Sequence, residues 1–161
     1  MAENPVRTNI MATLVEKITD PSVHPQVVAG CLQLIESEVG SKSGLSGAAV
    51  KAGYKVVKTL KPGIIEDAVT KLLPEFATAL QPMYERSGAP EAGERSGQVF
   101  SDHLVAHQEK AADALLGVTD RKAQGAKNQT LKKTYDRLRG SAKTHVTAAI
   151  PGLARTLGRF A

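Results

Sequence analysis

Pro62-Gly-Ile-Ile-Glu-Asp-Ala-Val-Thr-Lys-Leu-Leu-Pro-Glu-Phe-Ala-Thr-Ala-Leu-Gln-Pro-Met-Tyr-Glu85 is the stretch that decides the fold. Its apolar residues are Ile64, Ile65, Ala68, Val69, Leu72, Leu73, Phe76, Ala77, Leu80, Met83 and Tyr84. They recur at the period of an α-helix and make a wide stripe along one side, while Glu66, Asp67, Thr70, Lys71, Glu75, Thr78 and Gln81 fill the other. A helix with so broad an apolar face needs other helices around it, so residues 62–85 read as the central helix of a bundle. Pro74 and Pro82 fall inside it. Each removes an amide donor and crowds the carbonyl four residues earlier, at Thr70 and Thr78, which costs about 3 kcal/mol in a continuous helix. The reading predicts a kink or break near Leu73 and near Gln81, with room for a pocket beside Phe76.

Helical patterns flank this stretch on both sides. Asn4 and Pro5 suit an N-cap and first helical residue, followed by a stripe of Ile10, Met11, Leu14, Val15 and Ile18. After the turn Asp20-Pro21-Ser22, a second helix carries Val27, Val28, Cys31, Leu32, Ile35 and Val39 inward and stops at Gly40. Ser41 to Gly47 reads as a flexible connector, and a third helix from about Ser46 reaches Leu60. Residues 86–98 have almost no apolar bulk and read as a long mobile loop. A fifth helix is expected over Val99–Leu116 and a sixth from Thr130, broken at Pro151-Gly152 and followed by a short amphipathic turn. No strand-period run, repeat or sustained heptad occurs. The expectation is one all-α domain over 1–161, a bundle of five to seven helices around a Pro-kinked centre.

The 161 residues suffice for one domain with its own core, and a hydrophobic content of 42% suits a soluble globular chain. Aromatics are only 4% with no Trp, which argues against a stacking platform for single-stranded nucleic acid. The single cysteine, Cys31, fits a reducing compartment, and no signal peptide, spanning segment or lipidation motif is recognised, so the expected location is cytoplasmic. The net charge of +5 is unevenly spread. Residues 1–117 hold 11 Lys+Arg against 14 Asp+Glu, and residues 118–161 hold 10 against 2. A basic C-terminal part of this kind meets either an anionic partner or the acidic part of its own chain.

Chemistry is sparse. Gly40-Ser-Lys-Ser-Gly44-Leu-Ser-Gly47 lacks the preceding strand and the Gly-Lys-Ser/Thr end of a phosphate loop. Glu66 and Asp67 stand in the first turn of the central helix, where they favour its dipole, with Asp67 and Lys71 spaced as an i, i+4 pair. Cys31 has core spacing and no basic neighbour to make it a thiolate. On a helical projection, His107 falls within the arc of Phe100, Leu104 and Ala111, His103 at its border, and His145 beside Leu131 and Ala149. His103, His107 and His145 are therefore candidate metal ligands from two helices, against the simpler reading of half-buried histidines hydrogen-bonded across the bundle. Lys132, Lys133, Arg137, Arg139 and Lys143, flanked by Arg121, Lys122, Lys127, Arg155 and Arg159, are the candidate anion-binding face. No catalytic constellation stands out, no cofactor is implied, and the chain reads as non-enzymatic.

With its all-helical pattern, its Pro-Gly pairs at Pro62-Gly63 and Pro151-Gly152 and its basic C-terminus, the chain resembles a family of small uncharacterised all-helical bacterial proteins. The resemblance implies a small bacterial cytosolic protein and brings no activity or site. Three functions are carried forward. The first is an interaction protein whose basic C-terminal face binds an anionic partner, nucleic acid first or an acidic protein. The others are a carrier or sensor of a small apolar ligand held within the bundle, and a histidine metal site.

Overall fold

The computed structural model describes residues 12–161, so the helix start expected at Asn4-Pro5, with Ile10 and Met11, lies outside the described residues. Seven α-helices follow in order, with no strand among the described residues: α1 Leu14–Thr19, α2 His24–Ser41, α3 Gly44–Lys58, α4 Ile64–Arg86, α5 Ser96–Ala106, α6 Gln108–Gln124 and α7 Gln129–Gly158. Thr13 starts α1 with a reciprocal cap: its hydroxyl accepts from the Glu16 amide, and the Glu16 carboxylate accepts from the Thr13 amide at 2.8 Å. Leu14 and Val15 therefore begin a new helix rather than continue one from residue 5.

The fold is all-α and is built around α4, as the apolar stripe predicts. That helix packs against α1, α2, α3, α5 and α6. The expected break does not occur, because α4 is continuous from Ile64 to Arg86 with Pro74 and Pro82 inside it. The carbonyls that the prolines deprive of a partner belong to Thr70 and Thr78, both exposed, so water can replace the missing amide. What changes at Pro74 is burial. No residue from Ile64 to Leu72 is fully buried, whereas Leu73, Ala77, Leu80, Met83 and Tyr84 are. Tyr84 meets Phe100 edge-on, with ring centroids 5.2 Å apart, a contact worth about 0.5–1.5 kcal/mol beyond its buried area.

A second organiser is α7, which the sequence reading divides at Pro151. It is one helix of 30 residues with Pro151 inside, packed against α2, α3, α5 and α6. Glycines make its crossings close. A Cβ on Gly97 would lie 1.9 Å from the Gly158 carbonyl oxygen, so α5 and α7 meet backbone to backbone. A Cβ on Gly152 would lie 2.5 Å from Leu34 Cδ1, and one on Gly53 2.9 Å from Leu138 Cδ1.

Three other expectations need correction. The connector between α2 and α3 is only Lys42-Ser43, since α2 runs through Gly40 to Ser41. Residues 86–98 are not an open loop: two 3₁₀ turns, Ala89–Glu91 and Gly93–Arg95, lead into α5, and Ala89 and Ser96 are buried. The helix expected over Val99–Leu116 is two helices, parted at His107, whose φ of −128° and ψ of 47° leave the helical region.

Candidate functional site: an apolar cavity beside Pro74

The apolar side of α4 from Ile65 to Leu80 forms one wall of a cavity of about 340 Å³. Eight side chains come from α4: Ile65, Ala68, Val69, Leu72, Leu73, Phe76, Ala77 and Leu80. Cys31, Leu34 and Ile35 of α2, Leu153 and Leu157 of α7, Ile18, Leu115 and Tyr54 complete the lining. The volume is at the lower end of small-molecule sites, roughly 300–1,000 Å³, and a lining so nearly free of polar atoms does not hold water well. Its position agrees with the pocket expected beside Phe76.

Only two lining residues bring a functional group. Cys31 is buried and its thiol is pushed up to about 11 by desolvation, so it is a neutral, unreactive part of the wall. The Tyr54 hydroxyl donates to Glu36 Oε2 at 2.5 Å and is pushed up to about 12, by burial first and then by Glu36. Lys58 lies 5.2 Å over the Tyr54 ring and 3.8 Å from Glu36.

On the other side of Leu34 is a groove of about 460 Å³ at the α2–α7 crossing. Gly30, Gln33, Leu34, Ser37, Gly152, Arg155, Thr156 and Arg159 line it. Leu34 is common to cavity and groove. Arg155 and Arg159 are exposed and make no ion pair among the described residues.

The histidines do not assemble as metal ligands. His103 and His107 have ring centroids 4.2 Å apart at an interplanar angle of 30°, a tilted stack. His107 Nδ1 donates to the His103 carbonyl at 2.9 Å, which uses one ring nitrogen within the same turn. His145 instead pairs with Ser46 Oγ on α3 at 3.2 Å. Among the described residues no three His, Cys, Asp or Glu side chains gather to hold a metal ion. His103 is held below the usual imidazole value by burial first, then by His107, Arg86 and Lys110.

The basic face is partly spent on the chain's own carboxylates. Arg139 grips Asp120 of α6, Lys143 sits 3.0 Å from Asp113 and 3.8 Å from Glu109, and Lys122 sits 2.6 Å from Glu75 of α4. Tyr135 also donates to Asp120 and bonds Thr119 Oγ1 at 2.8 Å. Lys133 and Arg137 are exposed, Lys132 is half-buried, and these three make no ion pair among the described residues. Asp67 likewise pairs with Lys61, at 3.1 Å, rather than with Lys71.

One polar cluster escaped the sequence reading. Lys17 Nζ donates to the Tyr84 hydroxyl at 2.6 Å and lies 3.4 Å from Ser96 Oγ, while Tyr84 and Ser96 are 3.1 Å apart. The three residues belong to α1, α4 and α5, and no sequence spacing connects them. Tyr84 and Ser96 are buried, so the triangle satisfies interior hydroxyls where the three helices meet.

Residues 14–161 match the model of a family of unknown function, DUF6918, and the chain belongs to that family. No curated protein and no solved structure matches it.

Proposed function

We propose that this member of the family is a binding protein for a small apolar ligand, held in the cavity between α2, α4 and α7. The observation that carries the reading is the nearly all-hydrocarbon lining of a 340 Å³ space bordered by residues of the buried core. Interiors ordinarily fill such space, and a void here forfeits contacts that one larger side chain at Ala68 or Ala77 would restore. Burial of apolar surface supplies the affinity, so binding is insensitive to salt. Native mass spectrometry with 1-decanol tests the reading. A one-to-one adduct is expected, and its absence at saturating decanol counts against the proposal.

A second reading rests on Lys132, Lys133 and Arg137 with Arg121 and Lys127, a basic set at the α6–α7 end without ion pairs among the described residues. It suits a nucleic-acid backbone or an acidic protein. It is weaker than the charge count suggests, because Arg139, Lys143 and Lys122 are engaged internally. Binding to nonspecific duplex DNA should fall steeply with salt if this surface is used. A bacterial cytoplasmic setting fits both readings: the sole cysteine is a buried thiol, and no described helix is long and apolar enough to cross a membrane.

A further inference from the structure

We infer that the ligand is an amphiphile with an anionic head, a medium-chain carboxylate, whose chain fills the cavity while its head lies between Arg155 and Arg159. The inference rests on the apolar-ligand reading and adds the head group. The C-terminal end of α7 and its C-cap residue Arg159 carry both halves of such a site: Leu153 and Leu157 line the cavity, while Arg155 and Arg159 line the groove. Each pair is spaced i, i+4 and so forms one edge of the helix. Between the two edges stands Leu34, the one side chain common to both spaces. It seats over Gly152, where even a methyl group would collide with it, and no polar bond ties it in place. A rotamer change of Leu34 therefore joins the spaces without moving a helix.

The charges at the groove favour an anion. Two guanidiniums without ion pairs among the described residues stand with Gln33 and Ser37, all of them able to donate hydrogen bonds. Glu38 turns Oε2 toward the same turn of α7, near Arg155 Nη2, while Lys42 holds its Oε1 at 3.1 Å and offsets its charge, so the two guanidiniums leave the groove net positive. Guanidinium forks match the two oxygens of a carboxylate, and they hold one more tightly than they hold a hydroxyl of the same chain length.

Displacement of Nile red, a neutral apolar fluorophore, from the full chain tests the inference with decanoate and 1-decanol as competitors. Decanoate should compete at least about tenfold more tightly at low salt, with the advantage shrinking as salt rises. The R155Q/R159Q double variant should erase that advantage by weakening decanoate far more than decanol, and R155K/R159K should keep part of it. Equal competition by decanoate and decanol in the wild type overturns the carboxylate head while leaving the apolar-ligand reading intact. Failure of Nile red and decanol to bind at all overturns the apolar-ligand reading, and this inference with it. Vesicles of phosphatidylglycerol form a further arm. Arginine-dependent binding to vesicles, without arginine-dependent competition by free decanoate, assigns the arginines to a membrane surface and overturns the inference.

Discussion

Arg139 holds Asp120 through two parallel hydrogen bonds, Nε to Oδ1 at 2.8 Å and Nη2 to Oδ2 at 3.1 Å, tying α7 to α6. The pair, with Tyr135 on the same carboxylate, keeps Asp120 below its usual value of 3.8, through Arg139 first and Tyr135 second. A depressed carboxylate contributes stability above the unfolded-state value and loses it as pH falls through the lower folded value. Asp120→Asn should therefore lower the melting temperature near neutral pH. The gap to wild type should close as the pH drops below about 4. A gap that persists unchanged at low pH would show that packing, not the ion pair, accounts for the loss.

Gly97 and Gly158 bring two backbones together. Gly97→Ala places a methyl group against a carbonyl that cannot turn aside, and about 3 kcal/mol of folding stability should be lost. Gly140, also in α7, has open space where its Cβ would be, so Gly140→Ala should stabilise by roughly 0.5–1 kcal/mol. Urea denaturation of both variants measures the contrast.

His103 is held below the usual imidazole value by burial first, then by the charges of His107, Arg86 and Lys110 around it. Its folded value lies below the ordinary 6.5, so on acidification the unfolded chain takes the proton first. Stability from this site is full above about pH 6.5 and falls as the pH drops toward the lower folded value. His103→Gln should flatten that decline below about pH 6.5 in thermal melts. An identical pH profile for the variant would remove His103 from the account.

Cys31 lies in the cavity wall with its thiol pushed up to about 11. A thiol reagent such as dithionitrobenzoate should react slowly with the native protein and rapidly in denaturant. Saturating decanol should slow the native reaction further, because the ligand occupies the space the reagent must cross. Fast native labelling would contradict the burial of this wall.

The apolar stripe from Ile64 to Tyr84 carries the fold legibly, because helical period and residue type act locally. It also places the cavity, since the stripe lines the space from Ile65 to Leu80, on both sides of Pro74, and fills the core beyond it. The prolines mislead about continuity: Thr70 and Thr78 face water, and whether a deprived carbonyl meets solvent is a tertiary fact. The break at His107 has no Gly or Pro to announce it; Glu109 in the first turn of α6 is the only local sign. Pairs such as Arg139–Asp120, Lys122–Glu75 and Lys17–Tyr84 join different helices, so no periodicity reveals them. Charge composition alone therefore overstates how much of the basic C-terminal part is available to a partner.

The central claim is that the cavity beside Pro74 takes a small apolar ligand, and a titration of Nile red into three proteins tests it most directly. Wild type should show a single saturable site, unaffected by salt. Ala77→Leu and Ala68→Phe, which fill the space from its buried wall and from its exposed edge, should lose the site while keeping the helical circular dichroism of the parent. Binding that is absent from the wild type, or that survives at the same affinity in both filled variants, would contradict the account.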